Sequence, residues 1–173
     1  KETPLQNEIK NAADQWSGKG VVRGSVEIEV PIGLNAEKPS VEADLLLDHV
    51  DLDLAEIGLT LSAINGSLNY ESSVGLSASK IVFTMLDSPV LARIATELSG
   101  SGGTTLIDLA GQIEMTRLND WLGLTLLNFV AGETGFSGRL SIPFGGRDDQ
   151  LELELQSLLG GVTIDIPPPL GKE

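Results

Sequence analysis

Apolar and polar residues alternate with a period of two along many segments of this chain. Val26, Ile28 and Val30 alternate with Glu27 and Glu29, and similar patterns follow later. Successive side chains of a β-strand point to opposite faces of a sheet, so the pattern predicts strands with one apolar and one polar face. No candidate catalytic cluster interrupts the alternation, and we expect the apolar face to carry the function.

Turn-forming residues such as Asn65-Gly66 and Asp87-Ser88-Pro89 separate the alternating segments. The predicted fold is mostly β with two helices, in a long, twisted and curved, mainly antiparallel sheet that forms a groove. The strands are predicted at residues 22–30, 41–47, 50–54, 57–61, 64–70, 76–85, 90–98, 107–115, 136–142, 151–155 and 162–166.

Two segments have helical spacing. Thr3-Pro4 followed by Gln6 is a helix-start signal, and apolar residues then fall on one face up to Trp16 before Gly18 ends the helix. The second predicted helix covers residues 118–130, with Thr116 or Asn119 as its cap, and has a broad apolar stripe. We expect this stripe to contact the groove through Leu118, Trp121, Leu122, Leu126 and Phe129.

The pattern recurs about 112 residues later. Residues 16–18 match residues 130–132 at an offset of 114, and Val50 matches Val162 at an offset of 112. We therefore expect one continuous body with a first repeat unit at residues 1–116, of about seven or eight strands, and a partial second unit at 117–173, of about three strands. Repeats of this kind stack into elongated molecules with a continuous surface.

Composition narrows the possible functions. The net charge is −14, with only 11 basic residues, so we expect no nucleic-acid partner and no electrostatic docking on an anionic membrane. The absence of cysteine removes disulfides and thiolate chemistry. The chain starts without a signal peptide, lacks a membrane-spanning run and begins and ends abruptly, which predicts a soluble fragment of a longer protein.

His49 is the single histidine and the main candidate for catalysis or metal binding. It follows Asp48 and precedes Asp51 and Asp53, but the alternation places those two aspartates on the polar face and indicates a bulge or turn at residues 48–49. The Gly-rich stretch at residues 99–105 has no lysine for phosphate binding and is predicted to be a flexible connector. We expect no enzyme activity, no cofactor and no metal.

Several motifs together carry a family resemblance. They are WSG at 16–18, IEVPI at 28–32, IGLTL at 57–61, INGSLNY at 64–70, GLSA at 75–78, the apolar helix followed by GET at 132–134, and VTIDIP at 162–167. Each motif is short, and their order along the chain is the stronger signal. The chain resembles the AsmA-like family of large envelope proteins, of the YhdP type.

This resemblance implies a periplasmic location and a role in phospholipid transport. Such proteins are anchored in the inner membrane of Gram-negative bacteria, cross the periplasm and form a long apolar β-groove. The expected function is a lipid-binding or lipid-conducting segment of that bridge. The expected partners are phospholipid and the rest of the parent protein at both sheet edges. Cut sheet edges in a fragment favour self-pairing, so an edge-to-edge dimer of the fragment would be an artefact.

The candidate groove lining follows from the apolar side of the alternation. It consists of Val26, Ile28, Val30, Val41, Leu45, Leu47, Val50, Leu52, Leu54, Leu59, Leu61, Ile64, Leu68, Ile81, Phe83, Ile94, Ile107, Leu109, Ile113, Leu140, Ile142, Leu153 and Ile164. Alternating strands also pack face to face in β-sandwiches. A structural or protein-interaction module with a closed core is therefore the alternative.

Overall fold

The computed structural model describes residues 16–32, 39–55, 58–100, 102–145 and 151–165. Almost all of the predicted N-terminal helix lies outside these residues. The prediction that it includes Trp16 and ends at Gly18 is wrong, because the first strand already begins at Trp16.

Nine strands and one α-helix make up the described residues. The strands are β1 (Trp16–Glu29), β2 (Ser40–Leu54), β3 (Leu59–Glu71), β4 (Gly75–Met85), β5 (Ser88–Ser99), β6 (Gly102–Glu114), β7 (Val130–Phe144), β8 (Glu152–Ser157) and β9 (Val162–Ile164). Between β6 and β7 lie helix α1 (Met115–Leu122) and a 3₁₀ segment (Thr125–Phe129).

The strands form one curved, open antiparallel sheet, as predicted. Strands β1 to β8 pair in the order of the sequence, and β9 pairs with β7 beyond the end of β8. Every connection is therefore local. Among the described residues no strand pairs with the outer side of β1 or of β8, so the sheet has two free edges.

Two pairs of predicted strands are single strands in the structure. The segments 41–47 and 50–54 form β2, and the segments 57–61 and 64–70 form β3 from Leu59 onward. The predicted bulge at Asp48-His49 is present, as a register shift between Leu47 and Val50. A bulge bends a strand without ending it, which is why the interrupted alternation does not mark a turn.

The second helix is also different from the prediction. α1 begins at Met115 and ends after Leu122, because Gly123 adopts a left-handed conformation with φ 63° and its amide donates to the carbonyl of Asn119 at 2.7 Å. A residue in this conformation stops an α-helix. Residues 125–129 form the 3₁₀ turn, and β7 starts at Val130 where a helix was predicted.

The buried core is small and lies in the middle of the sheet. We call its six members the central cluster: Ile64, Ala78, Ile81, Phe83, Val90 and Ala92. All come from β3, β4 and β5, and half-buried residues of β2, β6 and β7 pack around them. No second sheet covers this cluster within the described part of the chain, so the sandwich alternative is not the architecture seen there.

Candidate functional site

The strand register places all the predicted groove-lining residues of the nine strands on one side of the sheet. Residues directly opposite each other in an antiparallel pair project to the same side. The rows Ile94–Ile107–Leu140–Leu153 and Ile81–Ala92–Leu109–Gly138–Leu155 illustrate this continuity from β4 to β8. We call this side the apolar face and the other side the polar face. Val30 lies just after β1 and is exposed.

No charged side chain lies on the apolar face within the nine strands. Acidic and basic residues of these strands instead occupy the polar face, as Glu27 opposite Glu42 and Arg93 opposite Asp108 do. The distribution follows from the period-two pattern of the sequence. An uncharged surface that runs across eight paired strands is the main chemical feature of the sheet.

Exposure changes steadily across the apolar face. Val90 in the central cluster is 1% exposed, whereas Ile28 on β1 is 63% exposed and Leu153 on β8 is 53% exposed. At the lateral ends of this face, Val22 and Val26 on β1 are 53% and 62% exposed, and Leu155 on β8 is 52% exposed. The curved sheet therefore shields only the middle of its apolar face and leaves both lateral ends in contact with solvent.

Two neighbouring bulges, one in β2 and one in β3, bend the sheet that carries the apolar face. His49 and Ala63 both have φ near 50°, which is unusual for residues other than glycine. The Oδ1 atom of Asn65 accepts a hydrogen bond from the His49 amide at 3.0 Å, and the Oδ1 atom of Asp51 accepts one from the Ala63 amide at 2.8 Å. Each strand thus supplies the side chain that satisfies the bulged amide of the other.

Hydroxyl groups on the apolar face are bonded within the sheet. The Thr96 hydroxyl accepts from the amide of Leu76 at 3.0 Å, donates to its carbonyl at 2.9 Å and lies 3.1 Å from the Thr105 hydroxyl. The Thr134 side chain is 3% exposed and lies 3.0 Å from the Ser157 hydroxyl. These groups use their hydrogen bonds internally, so they add little polarity to the surface above them.

Helix α1 lies beside β6 and β7, at the end of the apolar face where both strands meet their connection. Met115 is buried, Leu118 and Trp121 are half-buried, and Leu122 and Phe129 are exposed. The side chain of Leu126 lies outside the described part of the structure.

An ion pair joins this helix to the β4–β5 turn. Nη2 of Arg117 lies 3.2 Å from Oδ2 of Asp87 in that turn. The contact joins the β6–β7 connection, which contains α1, to the β4–β5 turn at the same end of the sheet.

The chain as a whole matches one family. A family model described as YhdP protein matches residues 1–173. The chain belongs to the YhdP family. Membership identifies it as part of an AsmA-like protein of the bacterial envelope. Searches of curated proteins and of solved structures return no match.

The polar face of this YhdP-family chain contains ion pairs. Hydrogen bonds from His49 and Arg23 lower the pKa of Asp48, and the side-chain hydrogen bond from Arg139 lowers the pKa of Asp108. The His49 ring is 2.7 Å from Asp48 and is largely exposed. In the described ranges no group of three or more histidine, aspartate or glutamate residues could hold a metal ion.

A shallow depression of about 460 Å³ lies on β1 and β2. It is lined by Ser25, Val26, Glu27, Ile28, Glu42 and Asp44. Val26 and Ile28 belong to the apolar face, whereas the other four residues belong to the polar face. The three carboxylates make the depression unsuited to an anionic ligand. No helix among the described residues is long and apolar enough to cross a membrane.

Sequence reasoning missed several residues of the YhdP-family site. Alternation identified the side chains on the apolar face, but it gave no indication that Thr96 and Thr134 on this face would be internally bonded. It also did not reveal the paired roles of Asp51 and Asn65. The sequence does carry one signal: a polar residue stands at each position where the apolar–polar alternation of β2 and β3 is interrupted. Such a residue can be assigned to a bulge only when the neighbouring strand is known.

Proposed function

We propose that this chain is a lipid-binding or lipid-conducting segment of a periplasmic bridge that moves phospholipid between the inner and outer membranes. The observation that supports the proposal is the charge-free apolar face, which stays accessible at both lateral ends while its middle is shielded by the curvature of the sheet. Acyl chains would lie along this face, and the phosphate headgroup would stay in water above it.

An acyl chain that crosses the periplasm without a protein partner exposes its methylene groups to water. Each methylene removed from water is worth about 0.8 kcal/mol, so exposing a chain of roughly 16 carbons costs about 12 kcal/mol. A face that covers most of such a chain removes most of that barrier. The process makes and breaks no covalent bond, so the proposal requires no catalytic residue and no cofactor.

We further propose that the chain acts as one part of a larger sheet. Its free edges would join the rest of a parent protein that is anchored in the inner membrane, and the apolar face would continue across those joints. The acidic polar face, with no basic cluster in the sequence, would face the periplasm. Edge-to-edge dimers of the separated chain would use the same exposed edges.

The test is lipid analysis of the purified chain. Organic extracts are analysed by mass spectrometry, and binding of a fluorescent phospholipid is measured in parallel. We expect phospholipid to co-purify with the unsubstituted chain. The amount of bound phospholipid should be strongly reduced in Ile28→Asp, which places a charge on the exposed end of the apolar face. Ser25→Asp adds the same charge to the polar face of the same strand and should bind normally.

The absence of phospholipid, together with no binding of the fluorescent probe, would contradict the proposal and favour a protein-interaction module. Equal loss of binding in Ile28→Asp and Ser25→Asp would also contradict it, because a general charge effect would then explain the result. Circular dichroism of each variant verifies that the comparison is made between folded proteins.

A further inference from the structure

The hairpin β7–β8–β9 repeats the backbone irregularities of the hairpin β1–β2. Gly20 and Gly132 both have positive φ, at 137° and 107°. A Cβ atom at Gly20 would collide with the His49 carbonyl and the Val50 Cα, and a Cβ atom at Gly132 would collide with the equivalent Gly161 carbonyl and approach the Val162 Cα. These equivalent positions are all 112 residues apart, so the structure pairs Gly132 with Gly20, whereas the sequence comparison paired it with Gly18.

A second pair of glycines strengthens the equivalence. A Cβ atom at Gly24 would lie 2.8 Å from Cδ2 of Leu45, and one at Gly138 would lie 2.5 Å from Cδ2 of Leu155. Each glycine also approaches a carbonyl of the residue before that leucine. The residues His49 and Gly161 share a left-handed backbone, with φ of 51° and 87°. Strands β8 and β9 therefore reproduce the two halves of β2.

In the first hairpin, the side of β2 that faces away from β1 is already paired. Strand β3 occupies it, with Leu68 opposite Leu45 and Asn69 opposite Asp44. The Nδ2 group of Asn69 also donates a hydrogen bond to the Asp44 carboxylate. Leu45 is consequently half-buried, whereas its equivalent Leu155 is 52% exposed.

We propose that the outer edge of β8 and β9 binds an antiparallel strand of the β3 type. Equivalence with β2 predicts the register: an aliphatic residue opposite Leu155, an amide side chain opposite Glu154 and an aromatic residue opposite Leu153, as Tyr70 is opposite Ala43 in the first hairpin. Backbone hydrogen bonds supply the affinity and the side-chain pattern supplies the specificity.

Two occupants of this edge can be compared: β1 of a second copy of the chain, and a strand of the β3 type. A second copy of the chain has only β1 and the β8–β9 edge free among its described strands, because its β3 is already paired on both sides. In the first repeat unit the outer edge of β2 pairs with β3. A strand of the β3 type therefore matches the β8–β9 edge better than β1 of another copy does. Strand pairing at this edge does not depend on lipid binding.

The experiment uses the intact chain and a synthetic peptide of residues Leu59–Glu71. Hydrogen–deuterium exchange should show that this peptide protects residues 152–157 and 162–164 and leaves β1 unchanged. A peptide of residues Ser88–Ser99, from the central strand β5, is the strand-type control and should protect neither edge. The lipid content of each sample is measured separately.

Two matched substitutions locate the binding site. Leu155→Lys places a charge on the proposed edge and should weaken binding of the β3 peptide by roughly tenfold. Val26→Lys makes the same change on the opposite edge, where the side chain is 62% exposed, and should leave peptide binding unchanged.

Protection of β1, equal protection by the β5 peptide, or no protection at millimolar peptide would overturn the proposal. Head-to-tail dimers that are abolished by both lysine variants and that excess β3 peptide does not displace would overturn it as well, because β1 of a second copy would then be the preferred occupant. Loss of lipid with retained peptide binding would instead count only against the proposed function.

Discussion

The carboxylate of Asp51 on β2 accepts a hydrogen bond from the backbone amide of Ala63 on β3, at 2.8 Å. Ala63 has a left-handed backbone, so its amide points away from the regular ladder and needs another acceptor. The reciprocal bond from the His49 amide to the Asn65 side chain completes the pair. Together they hold two adjacent bulges in the bent part of the sheet.

We expect Asp51→Ala to destabilise the chain by about 1 kcal/mol, because it removes the acceptor of the Ala63 amide. Urea unfolding followed by circular dichroism measures the change. Asp51→Asn keeps an acceptor oxygen and should recover most of the loss. Asp53→Ala is the matched control, since Asp53 only accepts a 3.3 Å bond from the exposed Thr60 hydroxyl. Equal destabilisation by the two alanine variants would show that the bulge contact is unimportant.

The turn between β4 and β5 contains a residue unsuited to its backbone. Leu86 and Asp87 have φ of 50° and 60°, the combination that two-residue hairpin turns of type I′ require and that asparagine and glycine adopt most easily. We expect Leu86→Asn to stabilise the chain by about 0.5–1 kcal/mol by relieving this strain. Leu86→Val should have the opposite effect, because a branched Cβ is worse there. Thermal unfolding of both variants tests the prediction, and a lower Tm for Leu86→Asn than for the parent would contradict it.

The ion pair of Asp108 and Arg139 predicts a pH effect. Arg139 lowers the pKa of Asp108 below its ordinary value of 3.8, so the ionised form is favoured in the folded chain. The resulting stabilisation is present above the unfolded pKa and is lost as the pH falls through the lower folded pKa. Because both side chains are about half exposed, we expect a small effect on stability.

NMR titration of the Asp108 carboxyl measures this directly. In Arg139→Gln the pKa of Asp108 should rise toward 3.8, and stability should depend less on pH in the acid range. Arg23→Gln is the control: it should raise the pKa of Asp48, which His49 still lowers, and leave Asp108 unchanged. An Asp108 titration that does not change in Arg139→Gln would rule out the proposed coupling.

The alternation of residues was sufficient to predict an antiparallel sheet and to place side chains on its two faces. It predicted a bulge or turn at Asp48-His49 but gave no sign of the bulge at Ala63, and it did not predict that His49 and Ala63 both adopt left-handed conformations, which neither residue type prefers. Those conformations depend on acceptors from the neighbouring strand, so local sequence carries little information about them. The end of α1 was predictable from Gly123, but the wide apolar stripe of residues 118–130 suggested a longer helix than the chain forms.

The solvent exposure of side chains on the apolar face could not be predicted from the alternation either. Ile28 and Val90 both project to the apolar face of the sheet, yet their exposures are 63% and 1%. The difference arises from the position of each strand in the sheet and from the curvature, which brings the central side chains together. Periodicity assigns a face, and only the strand order decides how deeply a residue on that face is buried.

A new negative charge should therefore have very different effects at Val90 and at Ile28. Val90→Asp should prevent folding or destabilise the chain by several kcal/mol, because a carboxylate in the central cluster would have no partner. Ile28→Asp should remain folded, with a change in unfolding free energy below about 1 kcal/mol, because its side chain is already mostly in water. Urea unfolding of both variants provides the comparison. If Ile28→Asp unfolds the chain as Val90→Asp does, the lateral end of the apolar face is part of a closed core, and the proposed lipid-binding surface loses its physical basis.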